Sequence, residues 1–231
     1  MNIAVACDAN FVEHAGVLVA SLEQTQPTQD LEVFLMHPGL DERVLDWIAL
    51  QGRDRVSVSP HLVTQAMDEI RMPAYLPVTS AFRLLFPLVA PESWRHAIYL
   101  DADMLVRGSL QPVWDLRSSV ELVALVRDAA VPSFGSWKGP PWRALGVDPT
   151  APYFNAGMML FNLDEWRRSD CSNRALYIMR DLSLPYGDQC AINTVCTGRV
   201  SELDSIWNAM AAVFRDDNSI AATEGAARLR Q

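Results

Sequence analysis

Hydrophobic positions change their period several times along this chain. Asn2–Ala6 is a short apolar run and reads as a buried strand, ending in the polar break Cys7-Asp8-Ala9-Asn10. From Phe11 to Gln24, the apolar residues Val12, Ala15, Val19 and Leu22 fall at helical spacing. Pro27 lies just beyond, where a helix stops. Leu31–Met36 is a second apolar strand. Asp41–Leu50 reads as a helix with Asp41 as N-cap. Arg55–Ser59 is a third strand, polar at alternate positions. Strand, helix, strand, helix, strand in this order predicts an α/β fold, with a mostly parallel central sheet flanked by helices.

Pro60–Pro77 has loop character and Ser80–Leu88 that of a short helix. Ala97–Leu100 is a buried strand followed at once by Asp101-Ala102-Asp103, and Val120–Val126 is another strand. Asp128–Pro152 carries five prolines and three glycines, and a loop of that length usually has a function. Tyr153–Leu163 is apolar and returns the chain to the sheet. Asp164–Leu182 and Asp188–Val195 have helical patterns. No internal repeat interrupts this order.

Composition narrows the function classes. The 231 residues fit one large domain spanning 1–231. Lys and Arg number 19 against 28 Asp and Glu, a net charge of −9 that argues against nucleic acid or an anionic membrane surface as partner. It leaves room for a local phosphate pocket. Cys7, Cys171, Cys190 and Cys196 form no Cys-x-x-Cys pair, and His14, His37, His61 and His96 are scattered. A Cys/His zinc site is therefore not expected, and a reduced, cytoplasmic chain is. No basic leader opens the sequence and no apolar run approaches a membrane span, so neither a signal peptide nor a transmembrane segment is expected.

The residues with chemistry cluster at strand ends, where ligands bind in open α/β sheets. In an extended backbone Asp101 and Asp103 point the same way. Two such carboxylates repel by about 1 kcal/mol in water and about 4 at an effective dielectric of 20. A divalent cation with oxygen ligands relieves that repulsion; a polar loop after a strand is the plainer alternative. In Tyr153-Phe154-Asn155-Ala156-Gly157, Asn155 is an amide in an apolar stretch that needs partners, either nearby backbone or a hydroxylated ligand. Asp188, in Gly187-Asp188-Gln189-Cys190, either caps the following helix or serves a ligand. Arg83 lies in the apolar run Ala81–Phe86 and must snorkel or pair, with Asp101 or a phosphate as partner.

Together these blocks resemble family 8 glycosyltransferases: bacterial lipopolysaccharide galactosyl- and glucosyltransferases, with glycogenin as a more distant relative. The resemblance rests on Leu100-Asp101-Ala102-Asp103-Met104-Leu105-Val106-Arg107-Gly108-Ser109-Leu110, on Tyr153–Leu163, and on Asp188-Gln189 with Asn193, and it covers Asn2 to about Asn208. It implies a GT-A fold, a UDP-hexose donor, Mn²⁺ or Mg²⁺, a saccharide or lipopolysaccharide-type acceptor, and retention of anomeric configuration. By position it implies that Ala6, Asp8 and Asn10 hold the uridine end and that Asp101 and Asp103 bind metal. Arg83, Ala102, Asn155 and Ala156 then contact the donor, with Asp188 and Gln189 at the reacting sugar. An amide is a poor nucleophile, so Gln189 also suits a front-face mechanism.

The family normally carries a late His, a Gly and then Lys-Pro-Trp. Nothing after Asn208 matches, and 209–231 reads as a divergent tail. Lys138-Gly139-Pro140-Pro141-Trp142 comes too early and reads as loop, and Trp137 and Trp142 are either loop packing or a sugar platform. The expectation is a C-terminally incomplete, weakened transferase; the alternative is an inactive nucleotide-sugar-binding protein of the same fold. A nucleotidyltransferase is disfavoured because Cys7–Phe11 holds no Gly and no Lys after the first strand.

Overall fold

The computed structural model describes residues 1–26, 28–64, 69–136 and 139–210. Pro27, Trp137, Lys138 and the tail beyond Met210 lie outside the described residues. Seven strands, β1 (Asn2–Ala6), β2 (Leu31–His37), β3 (Val56–Leu62), β4 (His96–Asp101), β5 (Val123–Arg127), β6 (Phe154–Asn162) and β7 (Val200–Leu203), form one sheet. Their order is β3-β2-β1-β4-β6-β5-β7. All neighbours run parallel except β6, which is antiparallel to both β4 and β5. The helices are α1 (Val12–Thr25), α2 (Glu42–Ala49), α3 (Phe82–Val89), α4 (Gln111–Asp115), α5 (Trp142–Leu145), α6 (Leu163–Arg168), α7 (Cys171–Asp181) and α8 (Asp188–Cys196).

The central strands read as unbroken apolar runs because both faces of the sheet are covered. Ile3, Val5, Ile98 and Leu100 pack on the α1 side. Their neighbours Ala4, Ala6, Ala97 and Tyr99 pack on the side of α3 and α6–α8. This alternation fixes where Asp101 goes: two residues beyond Tyr99, it faces α3 and α8. Asp41 caps α2 as expected, accepting from the Arg43 N–H at 2.9 Å.

Several boundaries differ from the pattern. β3 runs through Pro60 to Leu62, because it is an edge strand and a missing N–H on the outer side removes no ladder bond. The helix expected over Asp164–Leu182 is two, α6 and α7, separated where Asp170 takes a left-handed conformation with φ 51°. The strand expected to begin at Val120 begins at Val123. The Asp128–Pro152 excursion is a packed structure: Val131 and Phe134 are buried, Ser133 bridges Pro152, and α5 lies within it. α4 and the four-residue edge strand β7 are too short for a clear period.

The chain adds β2 and β3 on one side of β1, then crosses to place β4 on the other. That reversal is a topological switch point, and the carboxyl ends of β1 and β4 open a crevice there. Because β6 runs the other way, its first residues come to the same edge, with the ends of β5 and β7 beside them.

Candidate active site

Arg83, in the first turn of α3, is the buried centre of this edge. Its Nη2 lies 2.9 Å from Asp101 Oδ1 and its Nε 2.8 Å from Asp188 Oδ2. Its Nη1 donates to the Ala156 carbonyl, and the guanidinium sits 5.1 Å above the Tyr99 ring. Burial opposes this charge, but Asp101 and Asp188 more than offset it and hold the guanidinium above its ordinary pKa. Arg83 therefore pairs rather than snorkels.

Asp101 ends β4 with its side chain 30% exposed. Burial pushes its carboxyl up to about 6; Arg83 pulls it down and the charges of Asp188 and Asp103 push it up. The chain then turns, with Met104 N–H donating to the Asp101 carbonyl at 3.1 Å. The extended-backbone argument for a shared side thus stops at Asp101, since Ala102 and Asp103 lie in the turn. Ala102 is buried, whereas Asp103 is exposed and free of hydrogen bonds and ion pairs among the described residues. A cavity of ≈ 860 Å³ opens beside Asp103, lined by the segment Met104–Leu110, Met158 and Ile206–Met210.

Asp188 is the first residue of α8 and is buried. Burial raises its pKa, against the pull of Arg83 and of the Ser80 hydroxyl, which donates to Oδ1 at 3.1 Å. The Arg83 Nε–H is aimed at the Ser80 carbonyl, 2.8 Å away, so Asp188 Oδ2 has a charge contact but no directed donor among the described residues. Asp188 does not cap α8 with its side chain; Gly187 stands at that position with φ 50°.

Amides hold the start of β6. Gln189 accepts from the Ala156 N–H at 3.1 Å and donates to Asp128 Oδ2 at 3.2 Å. Asn155 donates to the same Asp128 oxygen at 3.3 Å and accepts from the Gly157 N–H and from Asn208 Nδ2, both at 2.8 Å. Asn193 bonds both backbone groups of Phe154 at 2.7 Å. Asn155 thus satisfies nearby backbone, and each amide is engaged by protein groups. Asp8, after β1, accepts from Asn10 N–H at 2.9 Å and Thr79 Oγ1 at 2.8 Å; Ala6 is the last residue of β1 and pairs in register with Asp101. The pattern missed Asp128, Thr79, Ser80 and Asn208. Asp128 had a signal, because it follows a strand as Asp8 does. Thr79 and Ser80 had none, since their partners lie 71 and 108 residues away.

Asp101 and Asp103 offer hard oxygen donors, the set that suits Mg²⁺ or Mn²⁺, which take their remaining ligands from water and substrate phosphates. Among the described residues no group of three or more His, Cys, Asp and Glu side chains is arranged to hold a metal. The two carboxylates therefore fit such an ion only with further oxygen ligands from outside these side chains. Gly157 stands opposite Asp101, and a Cβ there would lie 3.1 Å from Asp101 Oδ2 and 3.0 Å from Asn155 Oδ1. The missing side chain keeps that corner open.

The profile of glycosyl transferase family 8 matches residues 2–228. The chain belongs to this family. Its fold is the α/β GT-A type, and the match runs beyond Asn208, where motifs ceased to be legible. General stress protein A of Bacillus subtilis (strain 168) is 23% identical over 93% of the chain and 75% of its own length. The lipopolysaccharide glucosyltransferase WaaO of Escherichia coli (strain K12) is 26% identical over 90% of the chain and 62% of its own. The lipopolysaccharide 1,3-galactosyltransferase of Salmonella typhimurium is 25% identical over 90% and 63%. The chain thus spans less than two thirds of either lipopolysaccharide enzyme. Among solved structures, the galactosyltransferase LgtC, in complex with donor and acceptor sugar analogs, superposes with a TM-score of 0.73 at 24% identity, covering 89% of the chain and 74% of LgtC. No helix among the described residues is long and apolar enough to cross a membrane.

Proposed function

We propose that this family 8 chain transfers a hexosyl group from a UDP-sugar to a saccharide or lipopolysaccharide-type acceptor, with retention of configuration. The observation that carries this is the meeting of Asp101 and Asp188, from a strand end and a helix start, on the buried guanidinium of Arg83. A Mn²⁺ or Mg²⁺ ion at Asp101 and Asp103 would supply Lewis-acid stabilisation of the leaving diphosphate. Asp188, buried against Arg83 and Ser80, would act on positive charge at the sugar through its own negative charge. Gln189 and Asn155, tied to Asp128, shape the wall of the sugar site, and Gln189 acts there as a positioning amide rather than a nucleophile. Four free, buried thiols suit a reducing compartment, and the cytoplasm is the proposed place of action.

Thermal unfolding with UDP, ADP and GDP, each with and without Mn²⁺, tests the site. A ligand at a hundred times its Kd adds about 2.7 kcal/mol, which raises Tm by roughly 5–10 °C for a chain of this size. The expected result is such a rise with UDP only when Mn²⁺ is present, followed by transfer of labelled hexose from a UDP-hexose. A rise with no transfer would select the inactive binding protein; no rise with any nucleotide would sink the donor-site reading.

A further inference from the structure

The turn Val78–Ala81, which leads into α3, carries two adjacent hydroxyls that reach opposite ends of the candidate donor site. Thr79, buried, donates from Oγ1 to Asp8 Oδ2 at 2.8 Å. Ser80 Oγ lies 3.1 Å from Asp188 Oδ1 and 2.9 Å from the Pro77 carbonyl, so its single proton has two acceptors. Thr79 has one described acceptor, and its bond is the unambiguous one. Asn10 N–H occupies the other oxygen of Asp8 at 2.9 Å. One bond to each oxygen fixes the plane of the carboxylate and leaves about two of its roughly four lone-pair sites for a ligand.

An ionised carboxylate only accepts hydrogen bonds. A base set against Asp8 must therefore present an N–H. Uracil does so at N3; cytosine carries a bare acceptor at N3, which faces a carboxylate with repulsion, and its N–H donors sit outside the ring on N4, where only a carboxylate free to turn can follow them. Such an unpaired, like-signed contact is what separates two otherwise similar ligands. The orientation of the carboxylate then decides how well the two bases are told apart.

We propose that Thr79 is a positioning residue for base selection: its hydroxyl holds Asp8 in the plane that accepts uracil N3–H, and so sets the preference for UDP over CDP. This rests on the UDP-sugar reading above. Thr79→Val keeps the shape and removes the donor, and Thr79→Ser keeps the donor.

The test measures Kd for UDP and CDP, with Mn²⁺ present, on the full chain and both variants by isothermal titration. The expected result is a fall of about tenfold in the UDP-over-CDP ratio for Thr79→Val, with the ratio kept in Thr79→Ser. If Thr79→Val does not fold, Thr79→Ala must show the same fall. A Thr79→Val chain that loses both affinities equally, or keeps the ratio, overturns the proposal: the hydroxyl then only supports the turn. An unaltered chain with no preference for UDP would overturn the donor reading itself, which the variants alone would leave standing.

Discussion

Arg83 is the residue on which the edge of the sheet depends most. Removing it leaves Asp188 buried with Ser80 as its remaining described donor, and breaking a buried ion pair costs about 3–5 kcal/mol. Arg83→Met should lower the free energy of unfolding in urea by that amount at neutral pH. The deficit should shrink in acid, where the orphaned carboxylates take up protons. A loss under about 1 kcal/mol would show that the pair contributes little. Asp101 makes a second prediction. Its carboxyl is raised to about 6, so between the ordinary carboxylate range and that value the folded chain holds more protons than the unfolded one. In the metal-free chain its contribution to stability therefore falls as pH rises through about 6. Metal binding needs the ionised form and should go the other way, weakening by up to tenfold per pH unit below about 6. Mn²⁺ titrations with UDP, followed by thermal shift at about pH 5 and about pH 7, check this; equal affinities would remove Asp101 from the ligand set.

At the scale of elements, the start of α8 governs the sugar end of the site. Gly187 has φ 50°, and a Cβ there would stand 3.3 Å from Leu76 Cδ1 and Pro73 Cδ and 3.4 Å from Met72 Cε. Gly187→Ala therefore strains the backbone, by about 1–3 kcal/mol, and pushes against the chain segment that crosses the helix start. The shift should pass to Asp188 and Gln189, the next two residues. Circular dichroism melts should show the stability loss, and the Mn²⁺-dependent response to a UDP-sugar should fall more than the response to UDP alone. An equal fall would mean that α8 moves as a whole without disturbing the sugar end. Long elements were legible in the pattern: β1 and β2 as apolar runs of five residues or more, and α1 and α8 as helical stretches bounded by polar breaks. The break at Asp170 was not, because the apolar spacing continues across it and only a backbone conformation marks it.

For the whole molecule, the residue types of the site were legible from strand ends, and their partners were not. Asp8, Asp101 and Asn155 stand at chain reversals that any α/β reading would inspect. Arg83 was recognised as needing a partner because a cation in an apolar helix has few choices. Thr79 was passed over because what makes it matter is long-range pairing that no local period encodes, whereas Asp128 stands at a strand end and only its partners were hidden. The antiparallel course of β6 has one more consequence. Arg127 pairs with Phe154, so the chain leaves the sheet at the end of β5 and returns at the start of β6 almost where it left. Everything between, residues 128–153, is an excursion that starts and ends at one spot. Its length can be altered, or a relative's version spliced in, with both hinges staying where they are. A slip of the β4–β6 ladder by one residue is the opposite case: it would put Met158 across from Asp101 and close the corner that Gly157 keeps clear. The ladder is the fixed frame of this protein, and the excursion is its interchangeable part.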